Sequence, residues 1–123
     1  MQITDMRKIP GTTELVTFTS SAGHAWGRWH GTPPADSSCS VEVDIPDPVT
    51  EWEPAQGPDA LTGAAGTDLN ICAVVDSMDS DGIVALRLAS AIILVEWEAT
   101  EHPSPGERIQ FSTSRVGIYP YKL

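Results

Sequence analysis

Basic residues, long apolar runs and helical periodicity are what this 123-residue sequence has least of, and each shortage closes off a class of function. Seven Lys plus Arg stand against 17 Asp plus Glu, a formal net charge of −10. Every phosphate contact needs a cation, so nucleic acid is not expected as a partner. No run approaches the roughly 18 consecutive apolar residues that span a bilayer as a helix. The amino-terminal MQITDMRKIPG carries charges without the apolar stretch of a secretory signal. A cytosolic protein with no membrane partner is therefore expected. Two cysteines, Cys39 and Cys72, are too few for a disulfide scaffold. Both lie in apolar, strand-like runs, where a reduced thiol packs as a small hydrophobe.

Catalytic signatures are also missing. There is no Gly-x-Ser-x-Gly elbow, phosphate-binding loop, HExxH helix or Gly-x-Gly-x-x-Gly fingerprint. Carboxylate pairs can always be drawn from 17 acids, so their presence alone assigns no acid and base. His102, between Glu101 and Pro103, sits in a turn and reads as exposed. No catalytic residue is assigned, no cofactor is expected, and the chain does not read as an enzyme.

Two segments invite a metal reading and fail on spacing. In DSMDSDG, residues 76 to 82, aligning Asp79, Asp81 and Gly82 with a calcium loop puts Ser77 first and Leu88 twelfth. The twelfth position must supply a bidentate carboxylate, so this segment is expected to be a hairpin turn. His24, His30 and Cys39 lack the paired spacing of structural zinc. On a strand the two histidines would lie about 20 Å apart.

What the sequence does have is alternation. ELVTFT (14–19), HAWGRWH (24–30), CSVEVDI (39–45), NICAVVDS (70–77), IVALRLA (83–89), AIILVEWE (91–98), RIQFS (108–112) and RVGIYPY (115–121) read as strands. Ten Gly and ten Pro punctuate them, and the Asp81-Gly82 pair marks a hairpin. Ile92 to Val95 lacks alternation, so this strand is expected at the centre, covered on both faces. Residues 46–68 form a long connection whose prolines exclude a central strand. Asp59 to Leu61 could make one helical turn within it, and Trp52 is expected to pin it to the body. The expected fold is all-β: a single domain, residues 1–123, built as a small antiparallel barrel or sandwich of about eight short strands with one long Pro-rich connection. Its outline is similar to an OB-type barrel, a likeness that transfers no function.

The phrases VEVDIPDPVTEWE and PGERIQFSTSRVGIYPY resemble small acidic bacterial proteins. That resemblance implies a bacterial β-rich domain and no particular chemistry.

The distribution of acids is more informative than their number. Between Arg28 and Arg87 no Lys or Arg occurs, yet 11 of the 17 acids fall in those 58 residues. In CSVEVDI, Val41, Val43 and Ile45 alternate with Glu42 and Asp44, which gives one face a core and the other only negative charge. The expected function is an acidic binding module that recognises a basic protein surface, as an inhibitor, immunity-type protein or adaptor would. Its expected site is Glu42, Asp44, Asp47, Glu51 and Glu53, with Trp52 as the aromatic anchor that charge alone does not provide. An alternative is a small-molecule pocket at Trp26, Arg28, Trp29 and His30, with or without catalysis. A third expectation is a homo-oligomer in which RVGIYPYKL pairs across a subunit edge.

Overall fold

The computed structural model describes residues 1–32 and 36–121. The middle of the GTPPADSS turn, residues 33–35, and the last two residues of RVGIYPYKL lie outside the described residues. The fold is all-β, with eleven strands among the described residues. They are β1 (Gln2–Lys8), β2 (Leu15–Ser20), β3 (Gly23–Trp29), β4 (Cys39–Asp44), β5 (Glu53–Pro54), β6 (Ala60–Thr62), β7 (Leu69–Met78), β8 (Ile83–Leu88), β9 (Ala91–Glu96), β10 (Arg108–Thr113) and β11 (Gly117–Pro120). All eight expected strands are present, and β1, β5 and β6 are additional.

Five strands close a barrel in the order β1-β2-β3-β11-β4, with β4 returning to β1. This agrees with the expected small β-barrel. It is not wholly antiparallel, because β11 lies parallel to β3, pairing Gly117 with Arg28 and Ile118 with Trp29. On its other side β11 runs antiparallel to β4, from Gly117↔Asp44 to Pro120↔Val41. The ladder continues past Pro120, where Tyr121 N–H donates to Ser40 C=O. Gly117 and Ile118 are thus paired on both sides within the chain.

Between β4 and β11 the chain builds a second sheet, ordered β5-β10-β7-β8-β9, with β6 also on β7. The long connection is therefore not irregular throughout. It contributes β5 and β6, and Ala60–Thr62 extends along β7 instead of forming a helical turn. Pro54 takes part only at the sheet's edge, in the two-residue β5, consistent with its missing N–H. Leu61 N–H donates to Ala22 C=O and Gly63 N–H to His24 C=O, so β6 ties the second sheet to the barrel.

β2, β9 and β10 bury alternate residues, whereas β3, β7 and β8 each bury three in a row. Val16, Phe18, Ala25, Trp29, Val41 and Ile118 from the barrel join Ile71, Ala73, Leu86, Ile93, Val95 and Ile109 from the second sheet in one core cluster. At Gly27, an added Cβ would lie 2.9 Å from both Val116 and Ile118 side chains. That distance is shorter than real contacts allow, so only glycine lets β3 and β11 approach.

The expectation that β9 is central is corrected. Among the described residues it pairs with β8 alone, at an edge of the second sheet. Ile93 and Val95 are buried while Ile92 and Leu94 are exposed. The strand alternates after all, with apolar residues on both faces.

A clasp holds the corner that leads into β9. Ala89 and Ser90 both adopt positive φ, 47° and 71°, the geometry of a tight hairpin turn that favours Asn or Gly. Asp59 stabilises it: one carboxylate oxygen accepts the Ala89 N–H at 2.9 Å, the other the Arg108 guanidinium at 2.7 Å. Partial burial pushes the Asp59 pKa upward, but those two hydrogen bonds and the Arg108 charge outweigh it and hold the group below its ordinary 3.8. A carboxylate with a lower pKa in the folded state contributes stability that is complete above its ordinary value and lost as pH falls through the depressed one. Asp59→Ala is expected to cost about 1–3 kcal/mol at neutral pH in urea unfolding. Below pH 3.8 the gap from wild type should narrow; a gap independent of pH would mean the charge is not what matters.

Candidate functional site

The anionic middle of the chain divides into paired and unpaired carboxylates. Asp47 accepts from Arg115 and Ser114, Asp59 pairs with Arg108, and Asp76 pairs with Arg87. The Arg115 and Ser114 hydrogen bonds hold the Asp47 carboxyl below its ordinary pKa. Glu42, Asp44, Glu51 and Glu53 make no salt bridge among the described residues.

The six expected site residues do not line one depression. Glu51, Trp52 and Glu53 line a shallow hollow of about 400 Å³ with Phe111 and Ser112. Within it Glu53 accepts from Gln110 on the neighbouring strand. Trp52 packs edge-on against Trp97, ring centroids 5.7 Å apart, and donates its indole N–H to Glu101 C=O at 2.9 Å. Trp97 donates to the same carbonyl and also packs edge-on against Phe111. Trp52 thus pins the connection to the second sheet, as its position in the sequence suggests. Asp47 lies apart, held on Arg115.

Glu42 and Asp44 have different surroundings. They project from the outer face of β4, beside β11, where Tyr119 pairs with Glu42 and Gly117 with Asp44. Tyr119 stacks on His30, just after β3, at 4.3 Å, with planes 6° apart. Gly117 makes room for this stack, since a Cβ there would fall 3.2 Å from the Tyr119 ring and 3.3 Å from His30 Nε2.

Across from this face runs β9. Glu42, Asp44, Tyr119, Tyr121, Ile92 and Leu94 all line one groove of about 1140 Å³. Four large hydrophobic side chains are exposed among the described residues: Ile92 (55%), Leu94 (60%), Tyr119 (39%) and Tyr121 (53%). All four belong to this groove. The charged side chains in its described lining are both carboxylates, and the Met1 amino group at one end is turned into Val41 C=O at 2.8 Å. Arg87 stands opposite Ile92 on β8, but its guanidinium is taken by Asp76.

Sequence reasoning assigned Glu42 and Asp44 to an exterior face and missed the other four residues. A signal was available. Val95-Glu96-Trp97-Glu98 alternates, and extending that phase backwards puts Leu94 and Ile92 on the outside with Glu96.

Of the alternative pocket, Trp26, Arg28 and His30 share a cleft of about 430 Å³ with Asp44, Arg115 and Tyr119. Trp29 points the other way, into the core, and its N–H donates to Thr32 C=O. Arg28 reaches Glu14 at 3.5 Å and Arg115 reaches Asp47 at 3.2 Å, so both guanidinium groups at this cleft have carboxylate partners. Trp26 is buried, with its indole N–H on Thr67 C=O.

No family model, no curated protein and no solved structure matches this chain. Among the described residues no helix is long and apolar enough to cross a membrane.

The Trp52 contacts generate a stability prediction. Trp52→Ala is expected to lower unfolding free energy on the order of 2 kcal/mol through lost packing. It should also speed proteolysis within residues 46–58. Trp52→Phe should keep the edge contact and lose only the hydrogen bond, about 1 kcal/mol. Equal losses for the two variants would mean that the ring does not pin the connection.

Proposed function

We propose that this protein is an acidic binding module that recognises a basic protein surface through the groove between β4–β11 and β9. One observation carries the reading: among the described residues, the four exposed large apolar side chains meet in a single groove whose charged side chains are Glu42 and Asp44. A contiguous apolar patch with a charged rim is the usual anatomy of a protein interface. The volume exceeds the roughly 300–1,000 Å³ of small-ligand pockets, which favours a macromolecular segment. Tyr119 and Tyr121 supply aromatic anchors, and the carboxylates steer a cationic partner while repelling polyanions. The same properties suit an inhibitor, an immunity-type protein or an adaptor. Cys39 and Cys72 are both free, which supports a reducing, cytosolic setting.

Reversing the charge tests the site. Glu42→Lys with Asp44→Lys is expected to slow association with a basic partner at least tenfold at low ionic strength, with the difference shrinking in salt. Glu51→Lys with Glu53→Lys is the parallel arm. Loss of binding in that arm alone would move the site to the Trp52 hollow.

A second reading is favoured by one observation: three of the four expected pocket residues line a cleft within the small-ligand range. Arg28 and Arg115 at its wall would take a small anion in exchange for their present carboxylate partners. Thermal unfolding against a panel of small carboxylates and phosphates is expected to show stabilisation that Arg115→Gln removes. No shift with any of them excludes this reading.

A further inference from the structure

Three neighbouring segments of the barrel align their outward side chains in rows. The parallel pairing of Ile118 with Trp29 runs on by one residue, since His30 N–H donates to Ile118 C=O. His30, Tyr119 and Glu42 therefore form one row, and Arg28, Gly117 and Asp44 form the row before it.

Tyr119 is fixed in its row. Its ring lies parallel to that of His30 with centroids 4.3 Å apart, close to the roughly 4.8 Å between adjacent strands. The two rings thus stand side by side like the segments that carry them, and the face of Tyr119 that His30 does not cover turns toward β4. Glu42 is its direct cross-strand neighbour on that side, and the Cβ atoms of such a pair lie about 5 Å apart.

Asp44 borders the same space. Gly117 brings no side chain to its row, where a Cβ would crowd the Tyr119 and His30 rings at 3.2 and 3.3 Å. Arg28 is paired with Glu14, and Arg115 in the adjoining cleft with Asp47. Glu42 and Asp44, two residues apart on one strand, are left beside an aromatic face without a salt bridge among the described residues. A ring face attracts a cation through its quadrupole, and two free carboxylates add their charge at the same place. Ile92, Leu94 and Tyr121 extend the groove with exposed apolar surface.

Resting on the groove reading above, we infer that the basic partner inserts an arginine side chain between Tyr119 and Glu42, its guanidinium flat on the ring and its N–H groups shared between Glu42 and Asp44. Arginine suits this place better than lysine. A planar guanidinium stacks on a ring and carries donors along its edges, whereas an ammonium is a compact, strongly hydrated point charge. Neighbouring residues of the partner segment then cover Ile92 and Leu94, which gives the contact the apolar area that one side chain lacks. A second copy is the poorer occupant, because a net charge of −10 on each chain opposes the approach.

The probe is a blocked peptide with three arginines spaced by Val and Gly, compared with the same peptide carrying lysine or citrulline in their place. Amide shifts in NMR report binding to the wild-type protein at low salt. The arginine peptide is expected to bind, with its largest shifts at Glu42, Asp44 and Tyr119. The lysine peptide should bind about fivefold more weakly, and the uncharged citrulline peptide not detectably. Tyr119→Leu should bring the arginine and lysine peptides to equal affinity while charge-driven binding persists. If that variant unfolds, the ranking of the three peptides on the wild-type protein still decides.

Equal binding of the arginine and lysine peptides to the wild-type protein would overturn the arginine site. If Glu42→Lys with Asp44→Lys then abolished binding of both, the groove reading would survive. Failure of both cationic peptides to bind, or binding that this double variant leaves unchanged, would sink the two together. A dimer seen by light scattering and dissolved by the double variant would assign the groove to a second copy and overturn the arginine partner.

Discussion

The structure depends on the closure of the barrel by its last strand. β11 enters parallel to β3 and antiparallel to β4, and it fits because Gly27 presents no side chain to Val116 and Ile118. Without that insertion β3 and β4 would each present unpaired main-chain groups, a costly state in a buried barrel wall and a template for aggregation outside it. With it, Tyr119 is delivered beside Glu42, stacked on His30, and the outer face of β4 becomes one wall of the groove. Closure and site therefore share the same strand.

The second sheet supplies the opposing wall. Its inner face merges with the barrel core, so its position is set by burial of Ile93, Val95, Leu86 and Ile109. The Asp59–Arg108 clasp adds direction by stabilising the Ala89–Ser90 corner, from which β9 sets off along β8. The barrel ends its sheet by joining it to itself. The second sheet ends in β9, which carries apolar side chains outward and, among the described residues, hydrogen-bonds to one strand, β8. The contrast between a wall closed on itself and a wall that stops at one strand is what gives the groove its character.

Much of this was legible in the sequence, for physical reasons that also explain the exceptions. Strands such as CSVEVDI and RIQFS sit half-buried, so alternation marks them and assigns Glu42 and Asp44 to the exterior. β1 escaped because a bulge between Thr4 and Arg7, with Asp5 at positive φ, breaks its period and leaves Ile3 as its single fully buried residue. β5 and β6 are too short to show any period. The run Ile92 to Val95 misled because an uninterrupted apolar stretch signals burial on both faces, and sequence cannot separate a strand covered by a second layer from one left open. The parting of Trp52 from Glu42 was invisible because it depends on strand order in the second sheet. Trp29 and Trp26, by contrast, were separable by parity alone, since neighbours two apart share a face.

The hairpins β7–β8 and β8–β9 join residues close in the chain, whereas β3 and β11 come from nearly opposite ends of it. Loop-closure entropy rises with the length of chain enclosed, and topologies rich in distant contacts fold slowly. The local hairpins of both sheets, β2–β3 among them, are therefore the natural first structures on the folding route, and closure by β11 the last. During that interval the barrel strands and β9 expose main chain together in every copy of the molecule. The excess of carboxylates, present from the first moment of collapse, keeps such half-built copies apart through mutual repulsion.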